Sequence, residues 1–154
     1  MLVIAFVQTA KPAPSQTTPL PAQSADAKLR RSKNEGPVVT TIYAFGVSQN
    51  LSDSTVYITA IAPINGATLL AHNILQYRVY YSEQMKNYVE EHFKQNHQTV
   101  AFIYGLNRKK IEKKFLKVQA NAKKRTLHTV TIKEIPHDDF HFKVPVIVDQ
   151  SDEF

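Results

Sequence analysis

Residues 99–104, Thr-Val-Ala-Phe-Ile-Tyr, are apolar on both alternating faces, with Val100, Phe102 and Tyr104 on one and Ala101 and Ile103 on the other. A strand apolar on both sides needs cover on both, and this predicts an inner strand. Gly105 and Leu106 follow, and then Asn107, whose side-chain oxygen can accept from the free N–H groups of a first helical turn. Leu106 and Ile111 have the spacing of a hydrophobic staple across such a start. Ile111, Phe115, Val118 and Ala122 then recur at i, i+4, i+7 and i+11, one narrow stripe of an amphipathic helix. A second alternating run at 127–132 completes strand, helix, strand.

Upstream, residues 38–47 and 55–62 are rich in β-branched and aromatic side chains and are separated by a polar turn at 48–54, the pattern of a hairpin. Pro63, Asn65 and Gly66 end its second strand. Residues 67–81 fit a strand (Leu75, Tyr77, Val79, Tyr81) as well as the start of a short helix, and are read as a packed connection. Ser82 is the expected cap of a helix reaching about Asn96, with Met85, Tyr88, Val89, His92 and Phe93 on its inner face. After Pro136, alternation through Phe140, Phe142, Val144 and Val146 is interrupted by Pro145, which confines this last strand to an edge. The expected core is Phe45, Ile58, Val89, Phe93, Phe102, Ile103, Ile111, Phe115, Val118, Val130 and Ile132. The predicted architecture is an α/β fold, with α+β as the alternative. It is a two-layer sandwich, with a four- to five-stranded sheet and both helices on one face.

Charge changes this picture. Residues 108–125 hold nine basic residues against one acid, Glu112, in a chain of net charge +6. On a helical projection Lys109, Lys110, Lys113, Lys117 and Lys124 fall within roughly 100° opposite the apolar stripe. Arg108, Lys109 and Lys110 stand in the first turn, where the helix dipole disfavours cations unless an anion is present. Gly105 would let a backbone approach such an anion closely. The plain alternative is a solvated helix face that collected lysines, which are good helix formers.

The amino-terminal residues 1–7 are unbroken apolar, and 8–10 end on Ala10. Residues 1–10 therefore read as a truncated signal peptide without a preceding charge, and export to the periplasm or beyond is expected; a cytoplasmic location is the alternative. A span needs about 20 apolar residues, so no transmembrane anchor is expected. Residues 11–36, rich in proline and poor in large apolar side chains, read as a disordered linker. Residues 37–148 form a single α/β domain, and 149–154 an acidic tail. Cysteine is absent, which excludes structural disulfides, thiolate metal sites and cysteine nucleophiles.

Little catalytic chemistry is visible. Glycine numbers four, no phosphate-wrapping loop occurs, and no serine stands in a sharp strand-to-helix turn. His137, Asp138, Asp139 and His141 are types that bind zinc or a transition ion, although five neighbouring residues equally describe a polar turn. Tyr43, Tyr57 and Tyr104 could stack on bases or sugars, or pack across strands. No cofactor is expected.

Residues 43–48 (Tyr-Ala-Phe-Gly-Val-Ser), 53–59 (Asp-Ser-Thr-Val-Tyr-Ile-Thr), the helix opening at 109–117 and Phe140-His-Phe142 resemble small uncharacterised exported proteins of Bacteroides-type bacteria. That resemblance implies export and a small α/β fold and brings no site residues. The strand, Tyr104-Gly105, helix, strand layout is similar to half of a sporulation-related repeat domain, a peptidoglycan-binding family. The expectation is a non-catalytic exported binding module for an envelope polymer or other polyanion, with nucleic acid as the polyanion only in a cytoplasmic protein. A metal-dependent hydrolase using the His137 turn, and a protein-interaction domain, are the alternatives.

Overall fold

The computed structural model describes residues 36–124 and 129–147. The signal-peptide and linker readings, Arg125, Leu127 and the acidic tail lie outside them. The elements run β1 (Val38–Gln49), β2 (Thr55–Thr59), β3 (Ala62–Leu69), a 3-10 turn (Ala71–Asn73), α1 (Arg78–Phe93), β4 (Thr99–Gly105), α2 (Arg108–Lys124) and β5 (Thr131–Ile135). This is an α/β fold with a five-stranded mixed sheet.

β1 is the spine. Along one edge it pairs antiparallel with β2 at Val47–Gln49 and with β3 from Val38 to Ala44, so that β2 and β3 act as one long, interrupted hairpin arm. At the interruption the Gly46 N–H donates to the Thr59 hydroxyl at 2.9 Å in place of a main-chain acceptor. β4 pairs antiparallel with Tyr43–Gln49. Those residues are already engaged on the β2/β3 side, so β4 must lie along the other edge of β1. β5 pairs parallel with β2. The order across the sheet is thus β4, β1, β2, β5, and β4 and β5 run parallel with two strands between them.

The helices lie on opposite faces, which corrects the expected two-layer packing. Directly paired residues share a face. Ala44, Gly46, Phe102 and Tyr104 look toward α1, where Tyr81 stacks on Phe102 at 5.0 Å, and Met85 and Val89 are buried. Tyr43, Phe45 and Ile103 look toward α2, where Phe115 meets Phe45 edge-on at 5.1 Å beside buried Ile111. Two separate apolar clusters result, one under each helix. The reason is topological. The β3–α1–β4 crossover moves across the sheet one way, and β4–α2–β5 moves back. Crossovers of one hand travelling in opposite directions put their helices on opposite sides.

The same layering corrects the expectation for β4. Among the described residues it is an edge strand, and its two apolar faces answer to a helix on each side, not to two strand neighbours. Of the expected core, Phe45, Ile58, Val89, Phe102 and Ile111 are buried, while Phe93, Ile103, Phe115, Val118, Val130 and Ile132 are partly buried against the clusters.

Three local readings also change. The stretch expected to end the second strand contains β3. Its Pro63 lies opposite Tyr43, whose main-chain groups turn toward β4, so the missing N–H costs no ladder bond. Gly66, at φ +82°, takes up a register shift that only a residue without Cβ adopts cheaply. Ser82 is not the cap of α1. The helix begins at Arg78, after Tyr77 in the left-handed region at φ 58°, and the Ser82 hydroxyl donates back to the Arg78 carbonyl. Finally, residues 141–147 form no strand. They cross the α1 side with Phe142 buried and Phe140 and Val144 packed on the cluster. Gln84 holds both main-chain groups of Lys143, its amide donating to the carbonyl at 2.7 Å and its oxygen accepting from the N–H at 2.8 Å. Gln84→Ala is expected to cost about 0.5–1.5 kcal/mol. The Lys143 amide should exchange faster by NMR, with the α2 side unaffected.

Candidate functional site

α2 starts as its sequence predicts. Asn107 Oδ1 accepts from the Lys110 N–H at 3.2 Å, and the Asn107 carbonyl accepts from Ile111 at 3.2 Å. Ile111 and Ala122 are buried, and Phe115 and Val118 are half-buried over the sheet. Burying that stripe fixes the rotation of the helix. Lys109, Lys110, Lys113, Lys117 and Lys124 are accordingly all exposed, as are Lys114 and Lys123.

Their electrostatics are nearly uncompensated. The Arg108 guanidinium meets Glu112 one turn on, Nε to Oε1 at 3.0 Å, so part of the first-turn charge is answered locally. Both groups are exposed, and such a pair contributes little in water. Among the described residues no carboxylate lies within ion-pairing distance of the five lysines of the ridge. The arrangement can gather a diffuse anion along an open helix face.

At Gly105 a Cβ would sit 3.0 Å from Ile111 Cδ1, so the glycine makes room for the first inward side chain of α2. Leu106, expected to staple Ile111, is exposed.

The second candidate, the turn after β5, is closed by Asp139 and Phe140 N–H groups donating to the Pro136 carbonyl, each at 3.2 Å. His137, Asp138, Asp139 and His141 are exposed. The His137 and His141 rings stack at 5.5 Å. Asp138, Asp139 and His141 border an open cleft of about 310 Å³ with Gln84, Phe140 and Lys143. Among the described residues no three His, Asp or Glu side chains converge closely enough to hold a metal ion. Burial, and after it the charge of Asp139, pushes the nearby Tyr88 hydroxyl above its ordinary value.

The tyrosines proposed as stacking platforms are packing residues. Tyr57 is buried and stacks on Phe93 at 4.8 Å. The Tyr104 hydroxyl accepts from the Leu75 N–H at 3.0 Å and donates to the Asn73 carbonyl, pinning the loop before α1. Tyr43 packs partly buried on the α2 cluster. His92, expected on the inner stripe of α1, is exposed and stacks on Tyr88 at 5.1 Å. Lys114, left outside the ridge by the sequence reading, lies roughly 40° further round the helix than Lys110 and is exposed beside it. Among the described residues no helix is long and apolar enough to cross a membrane. Compared with protein-family models, curated proteins and solved structures, the chain matches none.

Proposed function

We propose that this chain is a non-catalytic binding module whose ligand is an anionic polymer, held along the exposed lysine ridge of α2. The observation that carries the reading is the single water-facing row Lys109, Lys110, Lys113, Lys117 and Lys124, with no described carboxylate near enough to neutralise it. Like charges one turn apart repel, and a bound polyanion relieves that repulsion while releasing its own counter-ions. Heparin is the probe. Binding should weaken steeply with salt, and Lys110→Gln/Lys113→Gln/Lys117→Gln should lower affinity at low salt and flatten the log–log salt slope by about 2–3. The unfolding midpoint should hold, because the three side chains point away from both clusters. Parent and triple variant binding alike, or no binding by either at low ionic strength, would sink the reading.

The proposed place of action is the cell envelope, supported by the apolar run at residues 1–7, the proline-rich stretch behind it and the resemblance described above. Mass spectrometry of the mature protein is expected to find the chain starting after Ala10. An intact Met1 in the cytoplasm would remove the envelope and leave nucleic acid as the polyanion.

A further inference from the structure

We propose that the outer edge of β4 is a docking site for an extended acidic segment of a partner protein, which adds to the sheet as a further strand. The strand edge would serve such a partner whether or not α2 binds a polyanion, although two lysines belong to both surfaces.

β4 bonds to β1 through one set of alternate residues. The Gly46 N–H points toward Thr59 on the β2 side, so Tyr43, Phe45, Val47 and Gln49 present their main-chain groups to β4, where they meet Gly105, Ile103, Ala101 and Thr99. The N–H and C=O groups of Val100, Phe102 and Tyr104 therefore face outward. Among the described residues none of them has a hydrogen-bond partner. The outward N–H of Gln98, one step earlier, is capped by the Glu90 carboxylate at 3.1 Å, so protection stops where the strand begins.

Native sheets blunt such edges with charge, proline, bulges or short strands. β5, the opposite edge, carries Lys133 and Glu134. β4 has seven residues, no charge, no proline and no register shift against β1. An edge of that kind is a template for strand addition, with main-chain bonds giving affinity and alternate side chains giving specificity.

The flanks say which strand fits. Gln119 of α2 bonds to Glu134 of β5, so that flank of the helix looks toward β5. Lys110, Lys114 and Lys117 lie roughly 140–180° around the helix from Gln119, on the side of β4. Beneath them Ala101 is exposed on the α2 face, a small residue leaving space beside the edge. On the other face Val79 lies about three turns before Glu90 and so on the same flank of α1. It is 68% exposed. An added strand would thus place one set of side chains near lysines and the other against apolar surface, which selects alternating carboxylates and β-branched residues. A second copy of the chain is disfavoured. Antiparallel pairing of two β4 edges about a two-fold axis normal to the sheet would set both lysine rows face to face across the junction.

The probe is the blocked heptapeptide acetyl-Val-Glu-Val-Glu-Val-Glu-Val-amide, added to the intact protein and followed by NMR and calorimetry. Expected are binding, together with shifted and slowly exchanging amides at Val100, Phe102 and Tyr104, while those of Ala101 and Ile103, already bonded to β1, stay as they are. Val100→Pro removes an outward N–H that the sheet does not use, and should weaken binding about tenfold. Should that variant fail to fold, peptides N-methylated on the valines or on the glutamates replace it, and only one pattern should lose about tenfold. No binding, equal binding of the Lys-for-Glu peptide, or dimerisation through this edge without peptide overturns the proposal. So do shifts at the lysines with no slowed exchange at the three amides, a result that would leave the heparin reading intact.

Discussion

Phe45→Ala is expected to cost about 3–5 kcal/mol, a large share of the total stability of a domain this size. Phe45 is 0% exposed in the middle of β1 and makes the edge-on contact with Phe115 that seats α2. Its loss leaves a cavity between sheet and helix that Val56, Ile58 and Ile111, held in strands and a capped helix, cannot collapse to fill. Phe115→Ala is half-buried and should fall toward the low end of that range. Because the two rings touch, the double variant should lose less than the sum, with a coupling of about 0.5–1.5 kcal/mol. Tyr81→Ala is the control. It removes the ring stacked on Phe102 on the other face, so its cost should add to that of Phe115→Ala within about 0.5 kcal/mol. Chemical denaturation of the three single variants and the two doubles, Phe45/Phe115 and Tyr81/Phe115, measures this. A Tyr81–Phe115 coupling as large as that between Phe45 and Phe115 would mean one shared core, and the three-layer arrangement would be wrong.

That cycle bears on what the sequence could reveal. The β4–α2 pair was legible because each signal there is local: a run apolar on both faces, an asparagine at the helix start, and a stripe from Ile111 to Ala122. The lysine ridge followed, since whatever lies opposite a buried stripe faces water. Which face each helix covers was not legible. That depends on the direction of travel between β3, β4 and β5, and strand order is written in long-range pairing, not in periodicity. The start of α1 was missed because Tyr77 caps it in a left-handed conformation, which an aromatic residue does not advertise and the surrounding loop, pinned by the Tyr104 hydroxyl, imposes. The final segment alternates like a strand, yet its partner is the side chain of Gln84 and not another backbone. The open edge of β4 belongs to the same class, for a strand apolar on both faces says that it is covered above and below and nothing about its sides.

Gly46 gives the second large effect. A Cβ at this position would lie 2.3 Å from Met85 Sδ and 3.0 Å from Phe142 Cζ, both buried side chains of the α1 cluster. The backbone has little freedom to retreat, because the Gly46 N–H is held by Thr59 on one side and β4 pairs along the other. Gly46→Ala must therefore displace Met85 within a packed core, at an expected cost of about 1–3 kcal/mol, and Gly46→Val should cost more. Met85→Ala alone opens a cavity and should cost about 2–5 kcal/mol. In combination the alanine methyl at 46 occupies part of the space that Met85 vacates, so the double variant should be more stable than the two losses predict, by about 0.5–3 kcal/mol. Gly36, where a Cβ would meet nothing within 4 Å, is the comparison site, and Gly36→Ala should be neutral or stabilising by up to about 1 kcal/mol. If Gly46→Ala is as harmless as Gly36→Ala, or if its cost simply adds to that of Met85→Ala, then α1 does not press on β1 at this point and the first cluster is packed differently.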